Sequence, residues 1–333
     1  MQIIDHADRA LAAEISELQT RSLQAVLGHA DFGHFPHEII ALLNDTSTAQ
    51  NYFVLHRDAD DVLRGAAQVT LDGGKNAHIA NVDFITDPEC DPIAVLEALR
   101  PGVEKLTGSR TSVTWWVYSP LVADGLAPQS GDLPVEKTAI TQWLSDHGFT
   151  LIQTESASTL HVDNHRAEYT VAAGYALKRW VGPAPEEYVD DVALLCSRLA
   201  TDAPTGGVEF AHDPWDAERV RSKEEALRQA RREHVWTVAF TEDGAPAGYT
   251  FLVYPEDGGD FAFQHGTLVL SEHRGHGLGL AMKLANLAQL REVAPHIKRI
   301  HTWNASENEW MLRINEQLGS HPTSVLGAWE RKA

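Results

Sequence analysis

Cysteine is nearly absent: Cys90 and Cys196 are the only two in 333 residues. Far apart in sequence, they give no disulfide framework and no metal cluster. A reducing, cytoplasmic setting and no metal are therefore expected. Long apolar runs are missing too, where a membrane helix needs roughly 18 such residues in a row, so no membrane partner is expected. Met1–Leu18 lacks a basic start, an apolar run and a small-residue cleavage site. It carries Asp5, Asp8, Glu14 and Glu17 instead, and no secretory leader is expected. Positive charge is scarce: 27 Lys and Arg stand against 47 Asp and Glu, a net charge of −20. The deficit is uneven, with 9 basic against 23 acidic residues in 1–165 and 18 against 24 in 166–333. Such a chain repels phosphate backbones, which argues against nucleic acid as a partner. It would draw in a small cationic molecule, although the same charge also serves solubility alone. What remains is the composition of a globular protein, 43% hydrophobic and 22% charged, with no low-complexity tract. The length suits two domains better than one core.

Periodicity divides the chain into two similar halves. Leu11, Ile15, Leu18 and Val26 fall near one helical face, and Glu38–Leu43 is a second short helix. Strands are predicted at Tyr52–Leu55, Leu63–Leu71 and His78–Ile85, with a turn at Asp72-Gly73-Gly74. A helix marked by Ile93, Leu96 and Leu99 follows, then a strand at Ser112–Tyr118. A helix at Thr138–His147 stops at Gly148, and Thr150–Val162 is extended. The second half repeats the order. Tyr169–Trp180 is extended, and Glu186–Leu199 and Pro214–Glu233 are helical, the latter opened by the cap Asp213 and Pro214. Strands follow at Val235–Phe240, Ala247–Tyr254 and Phe261–Leu270. Then come a helix at Gly277–Val293, a strand at Arg299–Trp303, a helix at Glu307–Leu318 and a strand near Val325–Trp329. The expected class is α/β (α+β): two tandem domains, 1–165 and 166–333, each a mixed, mostly antiparallel sheet flanked by helices.

One segment carries chemistry. The strand ending Leu268-Val269-Leu270 runs into Arg274-Gly275-His276-Gly277-Leu278-Gly279 and then into a helix. A glycine-rich loop at a helix N-terminus leaves N–H groups free for an anion, and the helix dipole favours negative charge there. Side chains at the glycine positions would crowd that site. The spacing Gly-x-Gly-x-Gly is not the dinucleotide pattern, and no Gly-Lys-Ser/Thr follows, so it is not a triphosphate loop.

The segment resembles the pyrophosphate-binding motif of the GNAT superfamily of N-acetyltransferases, Arg/Gln-x-x-Gly-x-Gly/Ala, through Arg274, Gly277 and Gly279. Asn308 and Gly319 resemble the asparagine and helix-closing glycine of that family, eleven residues apart. The resemblance is good over about residues 235–330 and extends loosely back to about 169. It implies acetyl-CoA as cosubstrate. Leu268, Val269 and Leu270 would pair with its pantetheine arm, and the loop Arg274, Gly275, His276, Gly277, Leu278 and Gly279 would hold the diphosphate, with Asn304 and Asn308 completing the cofactor set. The first half lacks the loop: Thr86–Pro92 has no glycine and carries Asp87, Glu89 and Asp91, with Pro88 and Pro92 removing N–H donors. That half is expected not to bind CoA, a layout similar to mycothiol synthase.

The resemblance also implies catalytic positions. A backbone N–H of Val269 or Leu270 would polarise the thioester carbonyl. His265, nine residues before Arg274, is spaced like the catalytic histidine of arylalkylamine N-acetyltransferases, and imidazole can accept a proton near neutral pH. A strand histidine that merely packs is the competing reading. Gln264 could orient substrate or water. The family tyrosine is expected seven residues after Asn308, where this sequence has Asn315, and an amide supplies no proton. Tyr249 and Tyr254 read as strand packing, and Trp303 and Trp310 as core or pocket wall. Arg228, Arg231 and Arg232 suit a helix end, with contact to the adenosine 3′-phosphate of CoA as the alternative. Asp213, Asp216 and Glu218 suit a helix start, or attract an amine. The expected activity is acetyl transfer to a primary amine of a small cationic molecule. The first domain would shape the acceptor pocket and offer a homodimer surface. A protein acceptor, or a non-catalytic acyl-CoA sensor, are the alternatives.

Overall fold

The computed structural model describes residues 1–164, 168–202 and 214–332. Two passes through one element order make up the chain. The first is β1 Gln2–Ile4, α1 Arg9–Leu27, α2 Pro36–Asn44, β2 Ala49–Arg57, β3 Leu63–Asp72, β4 Ile79–Thr86, α3 Pro92–Thr107, β5 Ser112–Pro120, α4 Ala139–Asp146 and β6 Thr150–His161. The second is β7 Tyr175–Val181, α5 Val189–Asp202, α6 Ala217–Gln229, β8 Arg232–Thr241, β9 Pro246–Pro255, β10 Phe261–Val269, α7 Leu278–Val293, β11 Arg299–Ala305, α8 Glu309–Gln317 and β12 His321–Lys332.

Two compact units result, but a single cut does not separate them. One is Met1–Ser156 with Thr323–Ala333, and the other is Ala157–Pro322. The sequence reading divided the chain at 165/166. The difference comes from the last strand of each pass. Residues Ser324–Lys332 of β12 pair antiparallel with Pro120–Ser112 of β5, inside the N-terminal unit. The end of β6 belongs to the C-terminal unit, where Val162 N–H donates to Lys298 O. Alternating hydrophobicity defines a strand but not its neighbour.

In the N-terminal unit the strand order is β1-β2-β3-β4-β5-β12-β6. The alternation of β2 sets both faces. Phe53 and Leu55 pack with Ile15, Leu18 and Ile39 of α1 and α2. Val54 turns to Leu96 and Leu99 of α3 and Trp143 of α4. In the C-terminal unit the order is β6-β11-β10-β9-β8-β7. Val192, Leu195 and Val220 of α5 and α6 cover Trp236, Tyr249 and Leu268 on one face. Leu287 and Leu290 of α7 cover Leu252, Ala262 and Ile300 on the other. Each such buried aliphatic side chain contributes about 1.5–3 kcal/mol before entropy is counted.

Local departures from expectation are few. Strand β1 has three residues, too short for a periodicity. Helix α6 ends at Gln229, four residues early, and Arg232 opens β8 with its guanidinium over Phe263, 5.2 Å from the ring centre. It therefore serves no helix end. The expected cap Asp213 lies outside the described residues; Asp216 caps α6, accepting from Arg219 N–H at 2.8 Å. Trp310 is 77% exposed and beside Arg313, so it is not core.

Candidate active site

Strands β10 and β11 run parallel, but their pairing covers only Phe261–Phe263 against Arg299–His301. Both continue beyond it, to Val269 and Ala305. The strands therefore part, and a register shift between Gln264 and Thr267 marks a bulge where β10 leaves its partner. The opening leaves backbone groups of β10 without a strand on that side. Their direction follows from alternation. Leu270 N–H donates to Ala247 O at 3.0 Å, so it faces β9 and is engaged. Val269 N–H and Thr267 N–H face the opening. Of the two donors expected from the sequence, Leu270 is thus removed and Val269 remains. The Leu268 and Leu270 side chains are buried among α5 and α6 residues.

The loop after β10 leads into α7. Gly277, at the helix N-cap, has φ +70° and no side-chain cap; Gly275 has φ +83°. Both conformations are left-handed, which favours glycine, and a Cβ at either position would meet open space. Gly279 differs: it is buried against Ile314, so its smallness serves helix packing. The Leu278 side chain is buried with Met282, Ala239 and Ala247, so only its backbone can serve a ligand. Arg274 is exposed, with Nε donating to Val269 O at 3.3 Å. His276 lies exposed beside Tyr175, ring centres 5.3 Å apart. A parted strand pair, an uncapped helix N-terminus and an arginine at its rim fit an acyl-CoA: N–H donors for the pantetheine amides, and N–H and guanidinium donors for the diphosphate.

Behind the opening is a chain of polar side chains. Asn315 is 3% exposed. Its Nδ2 donates to Asn304 Oδ1 at 2.7 Å, and its Oδ1 accepts from Lys283 Nζ at 2.7 Å. Burial pushes the Lys283 pKa down to about 7. Lys283, Asn315, Thr302 and Gln264 line a cavity of about 20 Å³, room for roughly one water. Gln264 Nε2 donates to Phe251 O at 2.8 Å and to Thr250 Oγ1 at 3.0 Å, which fixes it in this wall. Asn308 is used elsewhere: its Oδ1 caps α8, accepting from Met311 N–H at 3.3 Å. Lys283 was not singled out in the sequence. The available signal was one lysine between Met282 and Leu284, in a helix buried nearly all round.

His265 sits on the opposite face of β10. It stacks on Phe251 at 5.1 Å, and Phe251 stacks on Trp236 at 4.2 Å. His265 is exposed to solvent at one side, with the Phe251 ring against the other. Desolvation first, then the charges of Arg232 and His234, lowers its pKa to about 4. It is neutral at neutral pH. The structure thus puts His265 and Asn315 on different faces of one sheet. Of the acidic residues considered for an amine, Asp216 caps α6 and Glu218 is exposed on it.

Residues 199–319 match the acetyltransferase (GNAT) family profile, so the C-terminal half carries a GNAT domain, and over its whole length the chain has the fold of a tandem GNAT protein. A tandem GNAT protein from the clavulanic acid biosynthesis pathway superposes with a TM-score of 0.80 at 23% identity, covering 99% of this chain and 98% of its own. A GCN5-related N-acetyltransferase from Sphaerobacter thermophilus gives 0.66 at 14% identity, covering 99% and 95%. One from Kribbella flavida gives 0.52 at 15%, covering 82% and 89%. These likenesses establish the fold. Comparison of the sequence with curated proteins gives no match. Among the described residues, no group of three or more His, Cys, Asp or Glu is placed to hold a metal ion. No described helix is long and apolar enough to cross a membrane.

Proposed function

We propose that the C-terminal unit transfers the acetyl group of acetyl-CoA directly to the primary amine of a small molecule. The observation that carries this reading is the opening between β10 and β11, which ends at the uncapped N-terminus of α7 beside Arg274. In the transfer a C–N bond forms and the thioester C–S bond breaks. The amine loses a proton and the sulfur gains one.

Val269 N–H faces the opening and is the donor toward the carbonyl oxygen. His265, neutral at pH 7, offers a lone pair, but a pKa of about 4 makes it a weak acceptor. Its role is to orient the amine or a water that carries the proton away. Asn315 cannot protonate a thiolate, whereas Lys283 holds a proton at Nζ and titrates near pH 7. Asn315 and Asn304 position it. The charge that acts on His265 at neutral pH, after desolvation, is that of Arg232, since burial lowers the pKa of His234. It favours an acceptor that reaches the site as a neutral amine or bears an acidic group. The acidic net charge pulls the other way, toward cations, but over the whole surface.

A second reading is an acyl-CoA sensor without turnover. The lowered basicity of His265 and the amide at Asn315 favour it. Free-thiol release from acetyl-CoA, measured over a panel of primary amines, separates the two. Amine-dependent release supports transfer. Tight binding of acetyl-CoA with no release above hydrolysis supports the sensor, and no binding at all overturns both.

A further inference from the structure

The N-terminal unit contains a cavity of about 250 Å³. It lies where β4 and β5 part. Their parallel pairing runs from Ile79 opposite Ser112 to Asp83 opposite Trp116 and ends there, while the strands continue to Thr86 and Pro120. Apolar cavities of roughly 150 Å³ already admit a benzene ring, so this one has room for a ring with a short side arm.

Its walls are aromatic and its polar content is one-sided. Phe32, Phe84, Trp116 and Tyr118 line it, with α1 along one side. Phe32 and Tyr118 stack at 5.3 Å, and Trp116 Nε1 donates to Asn81 Oδ1 at 3.1 Å, so the rings are held before any ligand arrives. Gln19 and His34 also line it and are tied to one another, Gln19 Oε1 accepting from His34 N–H at 3.0 Å.

Asp83 is the exception. Its carboxyl lines the cavity, and among the described residues no hydrogen bond or ion pair reaches it. Desolvation alone raises its pKa to about 7. Arg21 of α1 and Arg64 of β3 are both engaged by Asp87, at 3.2 and 3.1 Å. A carboxyl in a recess with no cation costs stability, and natural sequences retain such groups where a ligand supplies the partner.

We propose that this cavity binds a small organic ammonium ion, its nitrogen set against Asp83 and its apolar body between Trp116, Tyr118, Phe32 and Phe84. Aromatic faces attract cations, and the carboxylate completes the recognition. A phosphorylated ligand fits poorly, since Asp83 would oppose its charge and the nearby N–H groups at the start of α3 are taken by Asp91 and Asp87. The excess of acidic over basic residues in 1–165, 23 against 9, draws a cation toward this unit. The site is independent of acetyl transfer in the other unit and stands or falls without it.

The test is isothermal titration of the full chain with 2-phenylethylamine at pH 7.5, beside its neutral counterpart 2-phenylethanol and beside coenzyme A. Two variants accompany the wild type: Asp83→Asn, and Ser22→Trp, which fills the cavity from α1. Thermal unfolding verifies that both fold. The expected result is a saturable site for the amine, weakened roughly tenfold or more in Asp83→Asn, lost in Ser22→Trp, and bound that much more weakly by the alcohol. Because an amine could also occupy the C-terminal unit, only the component sensitive to these two variants counts. The proposal is overturned if no such component exists, if the alcohol binds as well as the amine, or if coenzyme A competes for that component.

Discussion

Helices α3 and α7 begin at equivalent places, each after a strand that parts from its parallel neighbour. What their first turns do with their N–H groups differs. At α7 the cap is Gly277 in a left-handed conformation, and no side chain closes the end. At α3 the cap is Asp91, whose Oδ1 accepts from Ile93 N–H at 3.0 Å, with Pro92 at the first position. Just before it, Asp87 Oδ1 accepts from Glu89 N–H at 3.1 Å, while its Oδ2 meets Arg21 and Arg64. The N-terminal unit thus supplies its own anions where the C-terminal unit leaves donors exposed. The sequence reading took Asp87, Glu89 and Asp91 as charges that would repel a diphosphate. The structure makes two of the three into bonded partners of the chain, and against its own desolvation the Asp87 pKa is lowered by the Glu89 N–H and the two arginines. The site is filled rather than merely repulsive.

The largest test of this comparison transplants the acidic solution. Gly277→Asp puts a carboxylate at the cap of α7 in a strained conformation, and we expect acetyl-CoA affinity to fall by about a hundredfold or more in titration calorimetry. Unchanged affinity would remove the α7 terminus from the binding site. Next in size is Lys283→Met. Amine-dependent thiol release is expected to drop about a hundredfold, in the range of a lost general acid, with acetyl-CoA affinity nearly intact. An unaltered rate and pH profile would exclude Lys283 from proton transfer.

The same substitution has a stability signature. With Lys283 at about 7 in the folded protein against 10.5 for the free side chain, the folded state binds fewer protons across that window. Wild-type stability therefore rises with pH from about 7 toward 10 through this group, and Lys283→Met should flatten the rise in chemical denaturation. Arg274→Ala is expected to weaken acetyl-CoA by roughly tenfold, the size of one charge-assisted contact. The smallest effect belongs to the other unit. Asp83 at about 7, above 3.8, lets the folded state keep a proton that the unfolded state has lost. Its contribution is full below pH 3.8 and declines as pH rises to 7. Asp83→Asn should remove that decline, seen as a smaller stability difference between pH 5 and pH 8.

The repeated element order was legible because amphipathic periods and turn residues are local properties. Nearly every expected strand and helix overlaps an observed one, and the segment from Arg274 to Gly279 leads from β10 into the first turn of α7, as the motif puts it. Partner choice was not legible. Nothing in the spacing of Val325–Trp329 says that these residues pair with β5 rather than with a strand of their own half. Directions of backbone groups were equally hidden: Val269 and Leu270 are alike in sequence, and only the bond from Leu270 N–H to Ala247 O distinguishes them. Lys283 escaped notice because a lysine reads as surface until its helix is known to be enclosed. Asn315 was visible as a missing tyrosine, but its contact with Lys283 joins residues 32 positions apart.

The placement of β12 reaches beyond architecture. During synthesis the N-terminal unit's helices and five of its strands emerge early, yet the strand that pairs with β5 follows the whole C-terminal unit. Until then β5 presents an unsatisfied edge, the kind of surface that invites pairing with other chains. The unit that is begun first is completed only after the other has been made. A nascent chain halted near residue 320 would hold all of residues 199–319 and still lack the partner of β5.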